Sequence, residues 1–115
     1  LLAANATGAV LEGSFWNRVE AREAGLEGVQ ASNAVLDEVS LEKAALHKSC
    51  WAGARWRSVE LCDANLETSD LQRLLCERVS LVRATLQGAK LSDAKFKQTT
   101  LENANLSHAN MGNTS

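Results

Sequence analysis

The chain contains no proline, which is unusual for a protein rich in loops or linkers because proline is a common turn residue. Long apolar runs are also missing: charged residues interrupt every hydrophobic stretch well before the ~18 residues of a membrane-spanning helix. The first residues carry neither a basic segment nor a long apolar run, so no classical signal peptide is predicted. We therefore expect no membrane span.

Neither sign of charge dominates the chain. Its formal net charge is −2 over 115 residues, which is too small to suggest a nucleic-acid binder or an acidic decoy. The three cysteines, Cys50, Cys62 and Cys76, cannot all pair with one another, and an odd number favours a reducing compartment. A hydrophobic content of 45% is typical of a folded domain with a modest core. We expect a single domain over residues 1–115.

The sequence is built from a five-residue repeat. One position in every five is apolar, and the residue two places before it is almost always Ala, Val, Ser or Thr, with Leu74 as the large exception. The other three positions are mostly polar, charged or glycine. The apolar central residues of successive repeats are Leu1, Ala6, Leu11, Trp16, Ala21, Leu26, Ala31, Leu36, Leu41, Leu46, Trp51, Trp56, Leu61, Leu66, Leu71, Cys76, Leu81, Leu86, Leu91, Phe96, Leu101, Leu106 and Met111.

A period of five fits neither a helix nor a regular strand. On an α-helix each step of five turns the side chain by ~140°, so the apolar residues would form no face. A plain strand alternates every two residues, and a run of fives breaks that alternation at each repeat. The pattern predicts a short extended segment, with its small and its large apolar residue both inward, followed by a corner.

The repeats resemble those of the pentapeptide-repeat proteins, whose consensus is Ala-(Asp/Asn)-Leu-x-x. Close matches are Ala64-Asn65-Leu66-Glu67-Thr68, Ala104-Asn105-Leu106-Ser107-His108 and Ala109-Asn110-Met111-Gly112-Asn113. The resemblance covers the whole chain and implies an all-β fold, the right-handed quadrilateral β-helix, with four repeats in each coil and no internal cavity. Three tryptophans at central positions depart from the usual pattern.

Residues twenty apart should then stack, and they are alike. Two inward columns never mix, although a five-residue repeat alone does not require this. The columns are Ala4, Ala24, Ala44, Ala64, Ala84 and Ala104, and Val19, Val39, Val59, Val79 and Thr99. The chain thus predicts nearly six coils of about twenty residues. Two outward columns alternate in charge and should attract weakly: Glu23, Lys43, Asp63 and Arg83, and Asp37, Arg57, Glu77 and Lys97.

The tryptophans are predicted to pack inside the solenoid. Trp16 and Trp56 fall on one face and Trp51 on the next, and the coil between them has alanine at two central positions, Ala21 and Ala31. We expect the indoles to tilt along the axis into the space that these alanines leave, without an empty void.

Nothing in the pattern predicts catalysis. The two histidines, His47 and His108, map to one outward face but lie three coils apart, roughly 14 Å, so they cannot share a metal ion. Cys76 points inward, whereas Cys50 and Cys62 lie on opposite faces. No nucleophile, base and orienting group fall together, and no glycine-rich phosphate-binding motif is present. We expect no enzymatic activity, no cofactor and no metal.

One outward column is a candidate site for binding a partner. The face that holds Leu36 has three acidic and six basic residues, a net charge of +3. Its outward column combines apolar residues with cations, and apolar residues aligned on a rigid surface often mark a partner site. The alternatives are a stripe that only stiffens the strands, or contact with another part of a longer chain. The candidate residues are Phe15, Val35, Arg55, Leu75 and Lys95.

The predicted function is a non-enzymatic protein–protein interaction module, excised from a longer protein. The resemblance suggests a bacterial secreted effector or secretion-system adaptor, either cytoplasmic or delivered into a host or target cell. The alternative is a DNA mimic that binds DNA gyrase or topoisomerase, which would need a broadly negative rod. The positive face disfavours that alternative. Its net charge of +3 is also too small to favour direct nucleic-acid binding. Dimerisation is not indicated.

Overall fold

The computed structural model describes residues 5–115, so the predictions for Leu1 and Ala4 lie outside the described residues. The chain forms a single parallel sheet whose strands recur every twenty residues. In the order β1-β2-β3-β4-β5, the strands are β1 (Phe15–Asn17), β2 (Val35–Asp37), β3 (Arg55–Arg57), β4 (Leu75–Glu77) and β5 (Lys95–Lys97). The molecule is an all-β solenoid, as predicted.

The register between coils is twenty residues on every face. In the sheet, Trp16 pairs with Leu36 and Trp56 with Cys76, and the other three faces pair through single parallel bridges such as Glu20 with Ser40. Four turns separate β1 from β5. This count is slightly lower than the nearly six coils expected for the whole chain, since residues before Phe15 and after Lys97 form bridges rather than strands.

The core is a stack of large central residues with small residues beside them. Leu41 and Leu61 are fully buried (both 0% exposed), and the alanine and valine columns are buried throughout the middle coils. Val19 and Val39 lie in adjacent coils, where the Ser40 amide donates to the Val19 carbonyl at 2.9 Å. Burial decreases only toward the two ends, where Leu11, for example, is half-buried. The predicted interior is confirmed.

Each repeat turns its corner at a residue with positive φ. Among residues 5–115, seventeen non-glycine residues adopt this conformation, together with Gly8, Gly13, Gly28, Gly53 and Gly88. It places the Cβ atom of an L residue too close to the following carbonyl oxygen, at a cost of roughly 1–2 kcal/mol each. On three faces a hydrogen bond closes the corner, such as the one from the Val29 amide to the Leu26 carbonyl (3.2 Å). The stacking between coils therefore holds the corners against their local preference.

Among the corner residues, Thr68 is the one whose replacement by glycine should stabilise the protein most. Its φ is 55°, which a β-branched residue rarely adopts. We expect Thr68→Gly to raise the free energy of unfolding by about 0.5–1 kcal/mol, because relief of strain exceeds the added entropy of the unfolded chain. Chemical denaturation measures the change. The control is Thr85→Gly, in the extended part of a repeat, which should lower stability; equal effects at both sites would contradict the prediction.

The Asn or Asp of the consensus has a structural reason. On the three faces outside the strands, the backbone N–H just after a central residue donates to no carbonyl of a neighbouring coil within the described residues. Where Asn or Asp precedes the central residue, its side-chain oxygen accepts that hydrogen bond: Asn65 from the Glu67 amide (3.0 Å) and Asp70 from the Gln72 amide (3.1 Å). The side chain thus pairs a backbone group that the coil leaves free, as in an Asx turn.

The three tryptophans pack in a tilted stack. The ring centroids of Trp16 and Trp51 are 5.7 Å apart, and those of Trp51 and Trp56 are 5.5 Å apart, both edge to face. Trp16 and Trp51 are 35 residues apart, almost two coil steps or ~8.4 Å of axial rise at the usual strand spacing, so their rings reach along the axis past the coil of Ala31. The predicted tilt into the space beside Ala31 is confirmed.

Ala21 lies near the N-terminal end of the described residues. This residue lines an apolar cavity of about 320 Å³ near the N-terminal end, together with Leu11, Trp16 and Leu26. The indole of Trp16 lines this cavity and also contacts Trp51, deeper in the stack, so the predicted tilt toward Ala21 stays a prediction.

One indole N–H has no hydrogen-bond partner. Trp16 Nε1 donates to Ser14 Oγ at 2.8 Å and Trp51 Nε1 to Ser49 Oγ at 2.9 Å, each to the residue two places before it. Trp56 has Ala54 at that position, and its Nε1 is buried without a partner. An unpaired buried donor costs roughly 1–3 kcal/mol.

Ala54→Ser is therefore expected to stabilise the protein by about 1 kcal/mol, since the hydroxyl would accept the bond from Trp56. The hydroxyl would also donate to the preceding central carbonyl, as Ser69 Oγ donates to the Leu66 carbonyl at 2.6 Å. The matched control is Ala34→Ser, one coil earlier, where the central residue is Leu36 and offers no donor. A gain at Ala34 as large as that at Ala54 would refute the role of the indole. Chemical denaturation of both variants decides between these results.

Candidate functional site

The outer surface of the sheet carries two parallel columns of side chains. In each strand the central residue points into the core, and the residues on either side of it point outward because strand side chains alternate. Between the columns runs a groove of about 570 Å³, which we call the strand-face groove. Its walls are formed by Val35, Arg55, Leu75 and Lys95 on one side and Asp37, Arg57, Glu77 and Lys97 on the other.

The structure brings together four of the five predicted site residues. Val35, Arg55, Leu75 and Lys95 are stacked in register at the start of successive strands and line the groove. Phe15 stacks on Val35 and points outward as expected, at 66% exposed, but it lines the N-terminal cavity instead of the groove.

The exposure of the apolar residues in this column differs in part from the prediction. Leu75 is exposed (39%), as predicted. Val35 is only half-buried because it lies between the larger neighbours Phe15 and Arg55 in its column. The groove thus has one clearly exposed apolar residue near its middle, Leu75, and a partly covered one at its N-terminal end.

The second wall of the groove was not recognised as part of a site from the sequence. The alternating signs of its residues predict a charge ladder instead. The signal that could have revealed it is the pattern itself, because both residues next to an inward central residue must point outward on the same side of the sheet. These residues are Asp37, Arg57, Glu77 and Lys97.

The predicted charge ladders form only in part. Asp63 and Arg83 make a two-pronged ion pair at 2.9 and 3.0 Å, and this guanidinium hydrogen bond holds the pKa of the Asp63 carboxyl below its usual range. In the ladder of the groove, Glu77 instead pairs with its chain neighbour Arg78 at 3.3 Å. That ladder is therefore corrected: a closer cation at the corner outcompetes the stacked one.

Ion pairs between stacked residues lie elsewhere on the solenoid. Among residues 5–115, two further stacked ion pairs join residues twenty apart, Arg18 with Glu38 and Arg22 with Glu42, and Glu27 contacts His47 in the same register. By contrast, the cations of the groove make no ion pair within the described part of the chain. These cations are Arg55, Arg57, Lys95 and Lys97.

Other chemistry-bearing residues are dispersed. His47 Nε2 lies 3.1 Å from a Glu27 oxygen, whereas His108 is exposed on a later coil. Residues 5–115 hold no group of three or more His, Cys, Asp or Glu side chains placed to bind a metal ion. Nor do they include a helix of the length and apolarity that crossing a membrane demands.

The three cysteines differ in accessibility. Cys76 is buried, and this burial raises the pKa of its thiol, so its reactive thiolate is suppressed. Cys50 and Cys62 are half-buried, with each sulfur 3.2–3.3 Å from a serine hydroxyl of the neighbouring coil, Ser32 and Ser80. We expect iodoacetamide to alkylate Cys50 and Cys62 in the native protein and Cys76 only after unfolding. Peptide mass spectrometry checks this, and rapid native labelling of Cys76 would contradict its buried position.

The architecture defines the class of protein: a β-solenoid with four repeats in each coil, whose outer faces are rigid and regular. The family model for pentapeptide repeats, in eight copies, matches residues 80–115. The same register continues through the other described coils. Residues 80–115 thus carry the repeats of this family, and the described chain has the fold of a pentapeptide-repeat solenoid.

Comparison with solved structures finds this fold in a cyanobacterial protein. The pentapeptide-repeat protein Rfr23 from the cyanobacterium Cyanothece 51142 is similar with a TM-score of 0.75 and 21% identity, over 96% of this chain and 86% of that one. QnrB1, a plasmid-mediated fluoroquinolone resistance protein, gives 0.42 and 18%, over 99% and 82%. A pentapeptide-repeat protein from the thylakoid lumen of Arabidopsis thaliana gives 0.39 and 21%, over 84% and 64%. No curated protein sequence matches the chain significantly.

Proposed function

We propose that this chain is a non-enzymatic module that binds another protein through the strand-face groove and the adjoining Phe15. The observation that carries the proposal is the combination, in one groove, of the exposed Leu75 with four cations that have no ion-pair partner. Apolar and charged groups that the protein itself leaves unpaired are groups that a partner can cover and neutralise.

The backbone beneath the groove suits this role. Each strand is hydrogen-bonded to the strands before and after it, for example from the Arg55 amide to the Ala34 carbonyl (2.9 Å) and from the Leu75 amide to the Ala54 carbonyl (3.0 Å). A partner would therefore meet preformed backbone, and binding would not have to order it. The groove lacks a convergent acid, base and nucleophile among the described residues, so we propose binding without catalysis.

The proposal is tested by the double variant Val35→Asp with Leu75→Asp. Two carboxylates in the groove would desolvate poorly and would cancel the local positive charge, so the affinity for a partner captured by the wild-type protein should fall at least ~10-fold. Circular dichroism should remain unchanged because both side chains point outward. The measurement is quantitative co-precipitation followed by titration with the purified partner.

The matched control adds the same charge on a different face. Ala45 and Thr85 occupy the equivalent positions, also two coils apart, with Asn65 between them, and both are half-buried, as Val35 is. Ala45→Asp with Thr85→Asp should leave the affinity for the partner within about twofold of wild type, since a remote exposed charge contributes little. If both double variants bind like the wild-type protein, the groove is not the binding site.

The finer assignment that we propose is an adaptor or effector domain of a bacterial secretion pathway, working in the cytoplasm or inside a target cell.

DNA mimicry is the second candidate, and the charge of the groove opposes it. Its four cations would face the positive saddle of a topoisomerase: Arg55, Arg57, Lys95 and Lys97. We expect micromolar protein to leave DNA gyrase supercoiling unchanged. Inhibition in that assay would make mimicry the better assignment.

A further inference from the structure

We propose that the occupant of the strand-face groove is an acidic segment in the polyproline II conformation, with two carboxylates three residues apart. This inference rests on the proposed function and specifies the chemistry of the partner. It comes from the spacing of the cations along the groove, from the residues between them, and from the ion pairs that these cations lack.

The four cations form a rectangle. Arg55 and Arg57 flank one strand centre and Lys95 and Lys97 flank another. Within a strand the two outward residues are ~6.6 Å apart, and the two strands are separated by two coil steps, ~9.6 Å. A carboxylate lying along the groove can therefore approach both cations of one strand, and a second carboxylate both cations of the other.

The distance between the two cation pairs selects the conformation of the segment. A polyproline II helix rises 3.1 Å per residue with three residues per turn, so residues i and i+3 lie on one side, ~9.3 Å apart. An extended strand also spans ~9.9 Å in three residues, but it places i and i+3 on opposite sides. An α-helix needs six or seven residues for the same distance. Of these three conformations, only polyproline II places two residues three apart on the same side at the distance between the two cation pairs.

The middle coil determines which residues fit between the two carboxylates. Leu75 and Glu77 lie there, between the cation pairs. Leu75 favours an apolar residue or proline opposite it, whereas Glu77 repels a further carboxylate at these positions. The preferred segment thus has acidic residues at both ends and apolar residues between them, and additional acidic residues should not strengthen binding.

The same features disfavour a nucleic-acid strand in this groove. Such a strand carries a charge at every nucleotide, so phosphates would meet Asp37 and Glu77 as well as the cations. Bases bind proteins by stacking on exposed aromatic rings. The aromatic residues of these strands, Trp56 and Phe96, occupy the inward central positions, and the exposed Phe15 lies outside the groove.

The test uses the full chain and three fluorescein-labelled, proline-rich peptides of equal length. The first has two glutamates three residues apart with leucine and proline between them, the second has two glutamates adjacent, and the third has four consecutive glutamates. Fluorescence anisotropy at ~0.1 M salt, where exposed charges still interact over ~10 Å, measures the affinities. We expect the first peptide to bind at least about fivefold more tightly than the second, and no less tightly than the third.

Two pairs of variants locate the bound peptide. Lys95→Gln with Lys97→Gln removes one end of the rectangle and should abolish the preference for the three-residue spacing. Lys43→Gln with Lys48→Gln removes the same charge from exposed positions on other faces and should preserve it. A single-stranded oligonucleotide should bind more weakly than the first peptide.

Equal affinity for the first two peptides, a preference for the third, or tighter binding of the oligonucleotide would overturn the inference. The proposed function is tested separately. If Val35→Asp with Leu75→Asp still abolishes partner capture while the peptides show no spacing preference, the groove binds a protein of other chemistry. If that double variant captures its partner normally, the proposed function itself fails.

Discussion

Replacing Trp51 with alanine is expected to lower the free energy of unfolding by about 3–5 kcal/mol, the range for large aromatic residues truncated in a core. Trp51 is fully buried (0% exposed), lies between Trp16 and Trp56 in the aromatic stack, and donates a hydrogen bond to Ser49. The truncation removes all three contributions and leaves Ser49 without its indole partner. Urea denaturation followed by circular dichroism measures the loss.

The control for this prediction is Trp16→Ala. Trp16 is half-buried near the N-terminal end and contacts Trp51 from one side only, so its truncation should cost less than that of Trp51. The same cost at both positions would show that the aromatic stack does not stabilise the solenoid through its buried centre. A loss below about 1 kcal/mol at Trp51 would contradict the packing described here.

The second large effect is expected from Ala31→Leu. Ala31 lies one coil below Trp51, where its amide donates to the Cys50 carbonyl at 2.8 Å, and the tilted indoles pass through the space beside it. Three extra carbon atoms at this position would collide with them, so we expect a loss of about 1–3 kcal/mol, the usual cost of overpacking. Equilibrium denaturation provides the measurement.

A double-mutant cycle separates this collision from a general intolerance of leucine. Trp51→Leu makes room above Ala31. The double variant with Ala31→Leu should therefore lose at least ~1 kcal/mol less free energy of unfolding than the two single losses added together. Ala21→Leu is the matched control: it fills part of the N-terminal cavity and should be neutral or stabilising. Additive losses in the cycle would refute the compensation between Trp51 and Ala31.

The sequence predicted well those features that repeat. The small-residue columns and the Leu41 and Leu61 interior follow from the identity of residues five and twenty apart, because each coil packs against its own equivalent. The sequence also located most of the candidate site, since one residue before each central position must point outward. Whether Val35 was open to solvent depended on the size of Phe15 and Arg55 in the same column, which no periodicity records.

The ion pairs show most clearly what the repeat pattern does not predict. Asp63 and Arg83 pair as the twenty-residue register predicted, yet Glu77 pairs with Arg78 and leaves Arg57 free. An ion pair depends on side-chain reach and on competing partners at the corners, and differences of a few ångströms decide between them. These differences follow from coordinates and not from a pattern of residue types.

By itself, the sequence determined the period, the inward and outward positions and the register, because each is enforced by the burial of apolar side chains at regular intervals. Only the tertiary structure decided which cations stay unpaired, that two columns form the walls of one groove, and that Trp51 contacts Trp16 across an intervening coil. Those outcomes depend on how side chains of different coils share a limited space, and that competition has no signature along the chain.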